Sequence, residues 1–288
     1  MKILITGSGG QVGRALRDAV PAGIDVVPLS HAELDIASEA AVLDCVRRHE
    51  PDVILNAAAY TAVDRAETEP DAAHRANAQG PRNLALAARA SGARLITLST
   101  DYVFDGTSCV PYTPEARPNP LGAYGESKRA GEEAVREALP DRSVILRTSW
   151  VYAATGANFL RTMLRVMEQG TVRVVADQVG TPTSARTVAD VIWRMVVRPD
   201  ITGIHHWTDA GVASWYDFAV AIAEEAVEAG MLPGNPTVVP ISTDEYPTRA
   251  RRPQYSVLDK RSLARALGIT PVHWRQRLRE VIGEMKRA

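Results

Sequence analysis

Short apolar runs alternate with amphipathic stretches along the first half of the chain. The runs that predict β-strands are KILITG (2–7), DVVPLS (25–30), DVILNAAA (52–59), RLITLST (94–100) and SVILRTSWVY (143–152). Between them, apolar positions at helical spacing predict helices, including one from about Gln11 to Val20 and a long one over 69–92. Strands that alternate with helices predict an α/β fold, a doubly wound and Rossmann-like parallel sheet with helices on both faces.

The alternation becomes less regular from about residue 150. Five further helices and a short strand, GIHHWTD (203–209), are separated there by longer irregular segments. This pattern predicts a smaller α+β C-terminal lobe that packs on the first. We expect a dinucleotide-binding domain over 1–149 and a mainly substrate-binding lobe over 150–288, with segments near 177–198 and 237–255 contributing to the first domain.

Composition and charge narrow the class of protein. The 288 residues carry a net charge of −1, which argues against a protein that coats nucleic acid. No run approaches the roughly 18 apolar residues of a membrane span, and no apolar signal segment follows Met1. Cys45 and Cys109 lack CxxC spacing, so we expect a reducing, cytoplasmic setting. Histidines in metal-ligand spacing are absent from the sequence, so no metal site is expected.

A glycine-rich loop follows the first strand in TGSGGQVG (6–13). Glycines at Gly7, Gly10 and Gly13 allow a tight turn and let backbone N–H groups approach a pyrophosphate at a helix N-terminus. The next strand ends in LSHAELD (29–35), with the neutral Ser30 where an NAD-specific site usually has an acid. The loop therefore predicts NADPH or NADH as cofactor, with NADPH favoured and Ser30 close to the adenosine ribose.

The stretch AYGESK (123–128) places Tyr124 and Lys128 on the same face of a predicted helix. An exposed helix commonly carries both residue types, so their spacing alone does not identify a site. Motifs elsewhere in the chain indicate whether this pair belongs to a functional site. They are the glycine loop, NAAAYTAVDRAE (56–67), STDYVFDG (99–106), RTSWVY (147–152), DQVGTPTSA (177–185) and RRPQYSVLD (251–259).

With these motifs, the chain resembles the extended short-chain dehydrogenase/reductases, and within them the dTDP-4-dehydrorhamnose reductases. The resemblance covers essentially the whole chain. It implies reduction of the C4 ketone of a dTDP-linked deoxysugar, dTDP-6-deoxy-L-lyxo-4-hexulose, to dTDP-L-rhamnose. It also implies that Tyr124, Lys128 and Thr100 form the active site.

The chemistry of these side chains fits the implied roles. A tyrosine has a pKa near 10, and a neighbouring ammonium favours the phenolate, so we expect Lys128 to lower the pKa of Tyr124. Tyr124 then gives a proton to the C4 oxygen as general acid. Thr100 would donate to the same oxygen, and Lys128 would also bind the nicotinamide ribose.

The resemblance implies further contacts. For the cofactor these are Gly10, Gln11 and Val12 under the pyrophosphate, Asp35 and Ile36 around the adenine, and Ala57, Ala59 and Thr61 beside the ribose and nicotinamide. For the sugar nucleotide they are Thr100, Asp101, Trp150, Thr181 and Arg251, with Tyr102, Thr183 and Arg252 as alternatives. Ala15 stands where some members place an acid that bridges two subunits through a metal, so a monomer or weak homodimer is expected.

Two other functions remain open from the sequence. A sugar-nucleotide epimerase or dehydratase shares the fold, but the dehydratase pattern favours Asp-Glu where this chain has Asp101 and Tyr102. A non-catalytic, NADP-binding regulatory subunit is the alternative from a different class. The presence of Thr100, Tyr124, Lys128 and Trp150 together argues for chemistry.

Overall fold

A six-stranded parallel sheet forms the centre of the computed structural model, which describes residues 1–234 and 236–287. Its strands are β1 (Lys2–Thr6), β2 (Asp25–Leu29), β3 (Val53–Asn56), β4 (Arg94–Thr100), β5 (Ser143–Thr148) and β10 (Gly203–His206). Their order in the sheet is β10-β5-β4-β3-β1-β2, and every adjacent pair is parallel. The predicted doubly wound sheet is confirmed, and its sixth strand comes from beyond residue 150.

Helices cover both faces of this sheet. Those of the N-terminal part are α1 (Gln11–Asp18), α2 (Glu39–His49), α3 (Val63–Ala66), α4 (Pro70–His74), α5 (Gly80–Ser91) and α6 (Ala123–Ala138). Side chains alternate along each strand, so Ile3 and Ile5 face the layer of α1 while Leu4 faces the layer of α2, α5 and α6. Each such buried aliphatic side chain contributes roughly 1.5–3 kcal/mol.

The predicted helix over 69–92 is not continuous. A π-helical turn, Arg75–Gln79, separates α4 from α5. At this turn a Cβ on Gly131 of α6 would lie 2.0 Å from the Asn77 carbonyl oxygen, so only glycine fits the close approach of the two helices. Such bulges are frequent at functional sites.

The C-terminal part contains shorter elements around its own apolar core. They are β6 (Val151–Tyr152), α7 (Phe159–Met167), β7 (Val172–Val175), β8 (Val179–Gly180), β9 (Thr183–Ser184), α8 (Ala185–Val196), β11 (Ala213–Ser214), α9 (Trp215–Glu228), β12 (Val238–Ile241), α10 (Arg261–Leu267) and α11 (Trp274–Arg287). Helix α8 packs against α1 and belongs to the core of the central sheet. Strand β12 pairs with β7 and does not join that sheet. Within the two described ranges no helix is long and apolar enough to cross a membrane.

Candidate active site

The glycine loop is tightly packed and leaves the start of α1 open. Gly7 has φ +68°, and a Cβ there would lie 2.4 Å from the Ala58 backbone nitrogen. A Cβ on Gly13 would lie 2.2 Å from the Gly7 carbonyl oxygen. Gly10 is the N-cap and offers no side chain to the N–H groups of the first helical turn. The loop thus fits a pyrophosphate held by backbone N–H groups and the positive end of the helix dipole.

The side chains of Gln11 and Val12 point away from that opening. Val12 is buried in the core, and the Gln11 amide oxygen accepts a hydrogen bond from Asn158 Nδ2 at 3.0 Å. Any contact of these two residues with a pyrophosphate therefore comes from their N–H groups. The Gln11–Asn158 bond also joins the glycine loop to the N-cap of α7 in the second lobe.

The segment after β3 lies at the same edge of the sheet and is held by Asn77. The Asn77 side chain accepts from Tyr60 N at 2.8 Å and donates to Tyr60 O at 2.9 Å. It also donates to Ser127 Oγ at 3.0 Å, and Ser127 Oγ donates to the Tyr124 carbonyl oxygen. One buried amide therefore ties the segment carrying Ala57, Ala59 and Thr61 to the helix of the predicted acid.

The carboxylate of Glu33 lies at the tip of β2, although Glu33 comes three residues after the expected position, Ser30. Ser30 donates both its N–H and its hydroxyl to Glu33 Oε2, each at 2.7 Å. These hydrogen bonds lower the pKa of Glu33, with a further contribution from Arg17. Ser30 itself is neutral, as the sequence indicates, but the chain folds the Glu33 carboxylate back onto it, so a negative charge lies at the β2 tip.

Replacing Glu33 with glutamine is expected to shift cofactor preference toward NADPH. The substitution removes a negative charge at the β2 tip while an amide oxygen still accepts from Ser30. Because Glu33 is exposed and screened by solvent, we expect an increase of only about fivefold in the NADPH-to-NADH affinity ratio. Titration of both cofactors by fluorescence measures it, with Glu39→Gln on α2 as control. An unchanged ratio would place the adenosine ribose elsewhere.

Asp35 and Ile36 follow at the start of the next segment. Asp35 Oδ1 accepts from Ala37 N at 3.0 Å, which fixes a local turn. The Ile36 side chain is buried against Gly80 of α5, and the Ile36 carbonyl oxygen accepts from Asn83. Their predicted contact with an adenine stays a prediction.

Thr100, Tyr124 and Lys128 come together at the carboxyl end of β4. Thr100 is the last residue of that strand, and Tyr124 and Lys128 lie one turn apart at the start of α6. Tyr124 is half-buried, and its ring meets that of Tyr102 edge-on with centroids 5.5 Å apart. The Thr100 hydroxyl is close enough to lower the pKa of the phenol. Lys128 is buried and donates to the Leu98 carbonyl oxygen at 2.7 Å.

Burial dominates the acid–base properties of this pair. It raises the pKa of Tyr124 to about 12, and the hydrogen bond to Thr100 offsets this only in part. It also lowers the pKa of Lys128 to about 8. The expectation that Lys128 lowers the pKa of Tyr124 is wrong. The Lys128 ammonium is directed at the Leu98 carbonyl oxygen, and the pKa of Tyr124 is raised. Tyr124 consequently keeps its proton at neutral pH, as a general acid requires.

A buried ion pair lies one turn further along α6. Both carboxylate oxygens of Glu132 accept from Arg147 of β5, at 2.8 Å from Nε and 2.6 Å from Nη2. Ser99 donates to the same carboxylate, and Arg147 also lies over the Phe104 ring. Glu132 raises the pKa of Lys128 and so favours its charged form. Tyr124, Lys128 and Glu132 therefore lie on one face of α6.

A cleft of about 360 Å³ opens between the two lobes. Aromatic and polar side chains line it, among them Asp64, Phe159, Trp215, Tyr246 and Arg252. A smaller cavity is lined by Tyr102, Tyr124 and Arg251, and the linings of the two cavities include neighbouring residues at 63–64 and 251–252.

Arg252 is more deeply placed than Arg251. Arg252 pairs with Asp64 through Nη2 at 2.8 Å and Nη1 at 3.2 Å, and it lines the cleft. Arg251 is exposed and borders only the smaller cavity. The sequence offers both as adjacent arginines and contains no signal that separates them.

Of the other predicted substrate residues, Trp150 stacks on a residue of the cleft, whereas Asp101 and Thr181 are buried. Trp150 has φ +47°, a strained conformation for a bulky residue, and stacks on the cleft residue Trp215 with centroids 3.5 Å apart. Asp101 is buried behind Thr100, to which it is hydrogen-bonded. Thr181 is fully buried, and its hydroxyl donates to the Gly211 carbonyl oxygen at 3.0 Å. The structure therefore does not bring the Thr181 side chain to the cleft, which corrects its predicted role as a direct ligand.

Comparison with known proteins agrees with this geometry. The family model described as RmlD substrate binding domain matches residues 1–287. A dTDP-4-dehydrorhamnose reductase of Aggregatibacter actinomycetemcomitans is 40% identical, with 97% of this chain and 98% of the relative covered. The chain belongs to the dTDP-4-dehydrorhamnose reductase family. The predicted resemblance to these reductases is confirmed, and with it an oxidoreductase family.

Two further relatives carry names that specify a bound cofactor or a substrate. A dTDP-4-dehydrorhamnose reductase of Bacillus anthracis, solved in complex with NADP, is 36% identical and superposes with a TM-score of 0.92, covering 98% of this chain and 99% of that one. A probable dTDP-4,6-dihydroxy-2-methyloxan-3-one 4-ketoreductase of Streptomyces antibioticus is 41% identical, with 99% of this chain and 96% of the relative covered. Two relatives of nearly equal identity to this chain, 40% and 41%, are thus named for different sugar substrates.

Proposed function

We propose that this chain reduces the C4 ketone of dTDP-6-deoxy-L-lyxo-4-hexulose to dTDP-L-rhamnose, with NADPH or NADH as reductant. The observation that carries the proposal is the position of Tyr124. It is a protonated phenol at the carboxyl edge of the sheet, next to Thr100, and it lines a cavity together with Tyr102 and Arg251. Ligands of open α/β sheets bind at this edge.

The cofactor has a consistent place among the described residues. The first turn of α1 receives the pyrophosphate, and the segment with Ala57, Ala59 and Thr61 lies beside the ribose and nicotinamide. When bound, the reduced nicotinamide supplies the hydride that reaches C4 of the sugar. Lys128, directed at Leu98 O in the protein alone, is one turn from Tyr124 and donates to a ribose hydroxyl in the proposed complex.

Tyr124 supplies the proton in this mechanism. As C4 becomes bonded to hydrogen, its oxygen gains negative charge and takes the proton from Tyr124 Oη. The resulting phenolate is stabilised by the Thr100 hydroxyl. General acid catalysis of this kind typically accounts for a factor of 10²–10⁴ in rate.

The cleft receives the nucleotide diphosphate. Arg252 offers a guanidinium held in place by Asp64, and the aromatic side chains of Phe159, Trp215 and Tyr246 offer flat surfaces for a base. Trp150 contributes behind Trp215, through their stacked rings.

Replacing Arg252 with alanine is expected to raise the KM for the sugar nucleotide about tenfold, because a charge-assisted contact with phosphate is lost. Cofactor affinity should not change. Arg251→Ala serves as the matched control, with an expected change of less than about threefold. Initial rates over a range of sugar-nucleotide concentrations measure both variants, and a larger effect of Arg251→Ala would assign the phosphate to the exposed arginine.

The proposed function is tested with the purified chain, reduced cofactor and dTDP-4-dehydro sugars of both C5 configurations. We expect one NAD(P)H to be consumed for each sugar reduced, with dTDP-L-rhamnose identified by NMR. Recycling of the cofactor without net consumption would indicate an epimerase or dehydratase. Tight NADP binding without turnover would indicate a regulatory subunit.

A further inference from the structure

The Asp101 carboxyl lies directly behind the Thr100 hydroxyl. Thr100 Oγ1 donates to Asp101 Oδ1 at 3.0 Å and accepts from Tyr102 N at 3.2 Å. Only 2% of Asp101 is exposed, so a sugar cannot reach this carboxyl directly. Asp101 is thus placed to act on substrate through Thr100 rather than by contact.

The surroundings leave the protonation state of Asp101 finely balanced. Its Oδ2 atom is buried without a hydrogen-bond partner of good geometry among residues 1–234 and 236–287. Burial raises the pKa of Asp101 to about 6, while the hydroxyls of Ser256 and Thr100 and the nearby backbone N–H groups act in the opposite direction. A carboxyl of this kind gains and loses its proton near neutral pH.

The groups that face Asp101 are known from each neighbouring element. Thr100 and Tyr102 belong to its own segment, Tyr124 faces it from α6, and Ser256 faces it from the segment before α10. The Arg252 guanidinium interacts with Tyr102 and is paired with Asp64. Ionised Asp101 raises the pKa of Tyr124, so the two groups are electrostatically coupled.

Thr100 has a single hydroxyl proton, and its direction depends on Asp101. When Asp101 is ionised, that proton is donated to the carboxylate and is not available to Tyr124. When Asp101 is protonated, the carboxyl can donate to Thr100 Oγ1, which frees the threonine proton for the Tyr124 oxygen. The exchange needs no change in heavy-atom positions.

We propose that Asp101 is a positioning residue that sets the direction of the Thr100 hydroxyl, and that its protonated form lets Thr100 donate to the Tyr124 oxygen as the phenol gives up its proton. The proposal rests on the proposed function of Tyr124 as the acid. A hydrogen bond to a developing phenolate is a charge-assisted one. Turnover of the wild type should therefore fall about tenfold as the pH rises through about 6.

Asp101→Asn tests the proposal, because the amide N–H donates to Thr100 as a protonated carboxyl does and cannot lose its proton. We expect kcat of this variant to stay near the low-pH plateau of the wild type between about pH 5 and 7.5, without the step. Cofactor affinity and thermal stability should remain those of the wild type. A wild type without the step, or a variant that retains it, would overturn the proposal.

Infrared difference spectra give a second readout that does not need turnover. The wild type should show a protonated-carboxyl band that titrates near pH 6 and is absent from Asp101→Asn. Thr100→Val removes the donor to the ionised form, so the Asp101 band should then titrate at higher pH. An Asp101 titration that is the same with and without Thr100 would overturn the proposal. If the coupling is present but no ketone is reduced, the function proposed for the site fails while the link between Asp101 and Thr100 stands.

Discussion

Replacing Tyr124 with phenylalanine is expected to lower kcat by at least ~10²-fold, since the substitution removes the only proton that this side chain can donate and leaves the ring in place. The affinity for NADPH should remain within about twofold of the wild type, because Lys128 and the glycine loop are untouched. The phenyl ring that remains can still meet Tyr102 edge-on, so the fold should be unaffected. Steady-state rates and cofactor titration measure the two quantities.

Tyr216→Phe is the matched control, because Tyr216 lies on α9 and lines neither cavity next to Tyr124. It should retain full activity. Wild-type turnover in Tyr124→Phe would remove the proposed acid, whereas a loss of cofactor affinity together with turnover would indicate a structural role.

Breaking the buried ion pair beneath the site should produce the largest loss of stability. Glu132→Gln leaves the Arg147 guanidinium buried without its countercharge, and side-chain exposures of 1% for Arg147 and 5% for Glu132 prevent water from compensating. A single broken buried pair typically costs about 3–5 kcal/mol. We therefore expect the free energy of unfolding, measured with urea, to fall by about 3 kcal/mol or more.

The neighbouring residue provides the control for that experiment. Glu133 pairs with Arg129 on the exposed side of the same helix, where the two side chains are 59% and 43% exposed. Glu133→Gln should change stability by less than about 1 kcal/mol. Equal effects of the two substitutions would show that the buried pair does not stabilise the fold.

Most of the fold could be predicted because its signals are local. Apolar runs and helical periodicity indicated the five strands of the first half, and the glycine loop was expected between the first strand and α1. Their boundaries were less well defined: DVILNAAA forms a strand only over Val53–Asn56, and SVILRTSWVY breaks at Trp150, where φ is positive. The positive φ of Trp150 is imposed by packing of its ring against Gly180 and Trp215, which are remote in sequence.

The site was predicted where a motif fixes a residue in a helix or at a strand end. Thr100, Tyr124 and Lys128 are of this type, and the fold brings them together. Contacts between distant segments gave no local signal. The Glu132–Arg147 pair joins α6 to β5, the Asp64–Arg252 pair joins the two lobes, and the pKa values follow from burial rather than from spacing.

Two residues left a signal that spacing alone did not interpret. Asn77 is a polar residue among alanines in a helical run, and such a residue is buried only if its amide is fully bonded, as it is here to Tyr60 and Ser127. Glu33 lies three residues after Ser30, a distance that lets a carboxylate fold back on a backbone N–H.

The central claim is that Tyr124 gives its proton to the C4 oxygen, and a crystal structure with NADP⁺ and dTDP-L-rhamnose tests it most directly. The distance to measure joins Tyr124 Oη to the C4 oxygen of the sugar. The mechanism predicts hydrogen-bond contact of about 2.6–3.2 Å, with Thr100 bonded to the same phenol. A phenol oxygen turned toward solvent, or separated from C4 by another protein group, would contradict it.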